Sequence, residues 1–112
     1  MKVRKRRPRQ KTKRAERLTG IFDFRLYVAG KTGKSIAALT NLTRICHEHL
    51  EDKCHITVID IIRNPRLAKA GQIVAIPTLV KTFPLPMRRV IGDLSSIERV
   101  LRGLDIGLTA SA

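Results

Sequence analysis

Between Ile21 and Ile62 the hydrophobic period changes twice, and that succession restricts the fold more than any other feature of the chain. Phe22, Phe24, Leu26 and Val28 alternate with Asp23, Arg25 and Tyr27, the period-two pattern of a strand with one face in a core, expected over 21–29. Ile36, Leu39, Leu42, Ile45, Cys46 and Leu50 then recur at helical spacing, with Thr32 or Ser35 able to cap the first turn, so a helix is expected from about 34 to 50. The run from Cys54 to Ile62 is almost continuously apolar and rich in β-branched residues. That suits a strand buried on both faces of a parallel sheet, with the first strand as its partner.

The second half continues with end signals. Asn64, Pro65 and Gly71 stand at the cap, first-residue and terminating positions of a short helix. A strand is expected from Ile76-Pro77 to Phe83, a turn at Pro84-Leu85-Pro86, and a return strand at Arg88 to Gly92, together forming a hairpin. Ser95 and Glu98 have capping-box spacing ahead of Ile97, Val100, Leu101 and Leu104, the stripe of a closing helix that ends near Gly103. The order β-α-β-α-β-β-α is that of an α/β, thioredoxin-like single domain. That fold carries a cis proline before its third strand, where Pro77 stands.

Charge is unevenly placed. The chain of 112 residues has a net charge of +14, and residues 1–20 hold ten of its basic residues against a single acid, Glu16. With so few apolar groups, this segment is expected to be disordered when free. The expected organisation is a basic extension at 1–20, a folded domain at 21–106 and a short tail at 107–112. A basic extension attracts polyanions through screened, weakly specific forces, which raises an alternative reading as a nucleic-acid-binding protein. No run of about 18 apolar residues marks a membrane span, and the N-terminal residues lack an apolar signal-type stretch, so a cytoplasmic location is expected.

Chemical motifs are sparse. Gly30-Lys31-Thr32-Gly33-Lys34-Ser35 looks like a phosphate-gripping loop, but that loop needs four residues between its glycines and this one has two; a strand-to-helix turn is the plainer reading. A thiol oxidoreductase of this fold needs a Cys-x-x-Cys pair at the same point, and none is present. Cys46 and Cys54 read as small core residues. With His49 and His55 they supply zinc-ligand types, but their spacing does not match a structural zinc site. No catalytic residues, cofactor or metal are expected. A binding surface is expected at Lys81, Arg88 and Arg89, which flank the Pro84-Leu85-Pro86 turn.

Four stretches, Leu26 to Leu39, Val58 to Ala68, Ala75 to Ser95 and Glu98 to Ile106, together resemble the KaiB family of circadian clock proteins, without an evident gap from about Phe24 to Ile106. The resemblance implies a non-enzymatic regulator that binds a KaiC-type ATPase ring and affects its phosphorylation or signalling state. It also implies KaiA-like or histidine-kinase partners and a homo-oligomer at rest, a dimer or tetramer. It further implies fold switching, with a rearranged second half, about Arg63 to Ile106, whose hinge candidates are Asn64, Pro65, Pro77, Gly103 and Asp105. Lys81, Arg88 and Arg89 match basic positions through which the family meets its partner. Ala37 and Gln72 stand where clock members often carry basic residues, the "GLTASA" ending replaces the usual acidic tail, and the basic extension is foreign to the compact clock form. These departures lead to the expectation of a divergent member, with a clock role and a stress-related signalling role both left open.

Overall fold

The computed structural model describes residues 21–106; the expected basic extension at 1–20 and the tail at 107–112 lie outside the described residues. The elements are β1 (Phe22–Val28), α1 (Gly33–His49), β2 (Cys54–Asp60), α2 (Pro65–Ala70), β3 (Thr78–Phe83), β4 (Arg88–Ile91) and α3 (Ile97–Gly103). They form one sheet with strand order β2-β1-β3-β4. β1 pairs parallel with β2 and antiparallel with β3, and β3 pairs antiparallel with β4.

The alternation along β1 sorts the core into two layers. Phe24, Leu26 and Val28 point to the face covered by α1 and α3, where they meet Ala38, Leu42, Ile45, Cys46, Leu79, Leu94, Val100 and Leu104. Tyr27 points to the opposite face and packs with Ile59 and Val80, with Ile61 and Ile73 alongside. The short helix α2 buries none of its own residues. Arg89 bridges to the end of that helix, donating to the carbonyl oxygens of Gly71 (2.7 Å) and Gln72 (2.9 Å), acceptors that the end of a short helix leaves open.

Three local expectations need correction or refinement. β2 is paired with β1 as expected but is an edge strand, and Val58 is 47% exposed; a branched run shows that a strand exists, not that both faces are covered. The cap of α3 is Ser96, whose hydroxyl accepts from the Arg99 amide, rather than Ser95. The Ser95 amide is instead held by the Asp93 carboxylate at 3.0 Å, an Asx turn that delays the helix by one residue. At α2, Asn64 stands at the cap position, but its side chain makes no capping bond and donates to the Asp60 carbonyl at 3.3 Å.

The turn after β1 is set by Asp60. Parallel register places Val28 opposite Asp60, so the ends of both strands lie together. The Asp60 carboxylate accepts from the Gly30 amide (3.1 Å) and from the Ile62 amide (3.0 Å). Gly30 has φ +65°, a conformation that glycine adopts without a steric penalty. These two bonds stabilise the ionised form and hold the carboxyl below its ordinary value. Thr32 then caps α1, its hydroxyl accepting from the Ser35 amide at 3.1 Å.

Two outcomes follow. Leu42→Ala, at a fully buried position, should cost about 2–5 kcal/mol in denaturant unfolding, whereas Val74→Ala, at a position 90% exposed, should stay within about 0.5 kcal/mol. Because the folded-state pKa of Asp60 is lowered, its contribution is present above the unfolded-state value of about 3.9 and fades as pH falls through the folded value. Asp60→Asn should therefore lower stability near neutrality and flatten its decline in acid, read from thermal melts across pH.

Candidate functional site

The residues expected to meet a partner sit on the β3–β4 hairpin, on the sheet's open edge, but not on one face. Lys81 and Arg88 are cross-strand neighbours, so their side chains share the α1/α3 face. Arg89 pairs with Val80 and projects to the opposite face, where the α2 carbonyls hold it. Lys81 is only 2% exposed, whereas Arg88 lies open to solvent. Burial lowers the Lys81 pKa, with the nearby Asp105 carboxylate opposing that shift and Arg88 adding to it.

The hairpin also carries apolar groups that no core claims. Leu85 is 73% exposed, Met87 53% and Ile91 61%. Met87 adjoins Arg88 and Leu85 lies in the same turn, whereas Ile91 pairs with Thr78 and projects to the Arg89 face; the hairpin end thus sets exposed apolar groups next to a cation, a mixture of the kind enriched at protein interfaces. Sequence periodicity could not find it, because the turn and the edge strand are too short to show a pattern.

The hinge candidates lie at three separate joints. Asn64 and Pro65 join β2 to α2, and the Asn64 amide donates to the Asp60 carbonyl at 2.9 Å. Pro77 precedes β3 and follows a cis Ile76–Pro77 bond; its carbonyl accepts from the Gly92 amide at 2.9 Å, tying it to the end of β4. Gly103 closes α3 so near β4 that a Cβ there would lie 2.9 Å from Val90 Cγ2. Asp105 follows with φ +60°.

The opposite edge of the sheet holds a second feature. An open hollow of about 720 Å³ lies between α1 and β2, lined by Val28, Ile36, Leu39 and Val58, with Lys31 and Arg63 among its polar lining residues. It adjoins the Gly30 turn. The backbone donor that could have met a phosphate there is taken by Asp60, so the turn is closed by the protein's own carboxylate. Among the described residues no three of His, Cys, Asp and Glu converge to hold a metal. His47 faces Asp52 at 3.1 Å and His55 faces Asp23 at 3.2 Å, ordinary exposed pairs. Also among the described residues, no helix is long and apolar enough to cross a membrane.

Comparison with known proteins places this architecture. In solved structures, the fold matches mitochondrial thioredoxin 3 of Saccharomyces cerevisiae with a TM-score of 0.58, 16% identity, and 83% of this chain and 87% of that one covered. It matches the N-terminal domain of SasA from Synechococcus elongatus with a TM-score of 0.62, 18% identity and coverage of 75% and 83%. At those identities the likeness shows the thioredoxin-like fold alone. In sequence, the chain is 44% identical to the circadian clock protein KaiB3 of Synechocystis sp. and 49% identical to the circadian clock oscillator protein KaiB of Synechococcus elongatus. Each alignment spans 83 residues, 74% of this chain and 81% of the relative. The KaiB domain profile matches residues 25–106, which takes in both layers of the core and the hairpin edge, and the chain belongs to the KaiB family of circadian clock proteins.

Proposed function

We propose that this chain is a non-enzymatic regulatory adaptor that docks on a KaiC-type ATPase ring and modulates its phosphorylation or signalling state. The observation that carries this reading is the hairpin edge of β3 and β4. In a chain matched to the KaiB domain over residues 25–106, the hairpin end exposes Leu85 and Met87 next to the solvent-exposed Arg88. Docking exposed apolar groups beside a cation gives both desolvation and register, whereas an isolated surface charge gives little.

Within this site the three basic residues take different parts. Arg88 makes the direct contact. Arg89 holds the end of α2 against the hairpin through the Gly71 and Gln72 carbonyls. Lys81, buried in this fold, reports on conformation: a rearranged second half would release its charge to water. Asn64, Pro65, Pro77, Gly103 and Asp105 sit at the joints where such a rearrangement would turn, with a dimer or tetramer as the resting form. Residues 21–106 form the docking domain in this proposal, and residues 1–20 and 107–112 are accessory. KaiA-like or histidine-kinase proteins are the further partners.

The test is binding of the full-length chain to a KaiC-type ATPase with ATP, by size-exclusion chromatography with light scattering and by titration. Arg88→Glu and Met87→Asp should each weaken binding at least about tenfold, with unchanged circular dichroism. Removing residues 1–20 should leave affinity unchanged. Unaltered binding by both point variants would sink the site assignment, and no binding by the full-length chain would sink the adaptor role. Lys81→Met should leave thermal stability unchanged or raised, because it keeps the buried stem and removes the buried charge.

A further inference from the structure

The end of α1 and the start of β2 bring together two nucleophilic side chains that ring docking does not use. Cys46 lies in the last turn of α1 and is 5% exposed; Cys54 is the first residue of β2 and half-buried. The chain between them doubles back tightly. The Cys46 carbonyl accepts from the amides of both Leu50 (3.1 Å) and Asp52 (2.9 Å), and Glu51 and Asp52 adopt φ +53° and +59°. Cys54 thereby packs against the core cluster that contains Cys46, which brings the two cysteines to one junction of helix end and strand start.

We propose that Cys46 and Cys54 form an oxidation site, at which a small-molecule disulfide such as oxidised glutathione converts the two thiols into an intramolecular disulfide. Two facing thiols are more than core packing requires, since one cysteine against any small apolar residue would fill the same space. Their contact also suits the chemistry. The neighbouring Cys54 thiol lowers the Cys46 pKa and the Cys46 thiol raises that of Cys54, with burial and the Asp52 carboxylate opposing ionisation of both.

The steps balance without any further reagent. Cys54 Sγ, the more accessible sulfur, attacks one sulfur of glutathione disulfide as its proton passes to the Cys46 sulfur; the S–S bond of the oxidant breaks and one glutathione thiolate leaves, taking up that proton. Cys46 Sγ then attacks Cys54 Sγ, forming the protein disulfide and releasing the second glutathione. The protein loses two electrons and two protons, and the oxidant becomes two glutathione thiols. The bridge closes the loop from 46 to 54 and pins the end of α1 to the start of β2, which constrains the unfolded chain more than the folded one. The residue pair lies apart from the hairpin edge, so this inference stands independently of ring docking.

The full-length chain is incubated with oxidised glutathione and followed by intact mass, thiol titration in denaturant and thermal melting. Both thiols should disappear together, the mass should fall by two hydrogens with no glutathione retained, Tm should rise, and dithiothreitol should reverse all three. Trypsin, which cuts at Lys53, should release peptides 45–53 and 54–63 still joined. Cys46→Ser should instead keep one glutathione on Cys54, and Cys54→Ser should remain unmodified. A lasting glutathione adduct on the unaltered chain, disulfide-linked dimers, or two thiols still free after the Cys46→Ser variant has reacted would each overturn the proposal.

Discussion

The structure depends on β1 being hydrogen-bonded on both sides at once. All seven of its residues pair parallel with β2 and five of them, Asp23 to Tyr27, also pair antiparallel with β3, and its side chains supply both core layers, Phe24, Leu26 and Val28 on one face and Tyr27 on the other. Remove that strand and β2 loses its only sheet partner among the described residues, while β3 and β4 are left as a hairpin, which is marginal in water without further cover. The helices follow from the strand as well. α1 and α3 lie where the apolar face of β1 needs covering, and the Asn41 side chain of α1 donates to the Asp93 carbonyl at 2.8 Å, tying that layer to the loop before α3.

Because β1 is central, the two edges of the sheet carry the surfaces that can meet other molecules. β4 presents Arg88 with exposed apolar neighbours, and β2 presents Val58 above the hollow beside α1. The two edges differ in what holds them. The β4 edge is braced from behind by Arg89 on the α2 carbonyls and by α3 packing near Val90 at Gly103. The β2 edge is braced at its two ends, by the Asp60 carboxylate on the Gly30 turn and by the packing of Cys54 against the core cluster at the start of the strand.

Much of this was legible from residue order. The change of hydrophobic period marked β1, α1 and β2, and the placement of Asn64, Pro65 and Gly71 marked α2. The hairpin and closing helix followed from turn and capping residues, with the cap of α3 displaced by one residue because Asp93 captured the Ser95 amide. The candidate basic residues were legible as types but not as a surface. Alternation puts Lys81 and Arg89 on opposite faces, yet nothing in their chemistry shows that α1 and α3 would enclose the one and α2 would accept hydrogen bonds from the other.

What the sequence determined by itself was the set of elements, their order and the likeness to the KaiB family, because periodicity, caps and turns are local and family blocks are strings. Tertiary structure alone decided which strands became edges, which charges were buried and which distant groups met. Asp60 reaches Gly30 only because parallel pairing brings the ends of β1 and β2 together. Cys46 reaches Cys54 only because the chain after α1 turns back on itself. Contacts of that kind depend on the register and packing of whole elements, which no single stretch of sequence encodes.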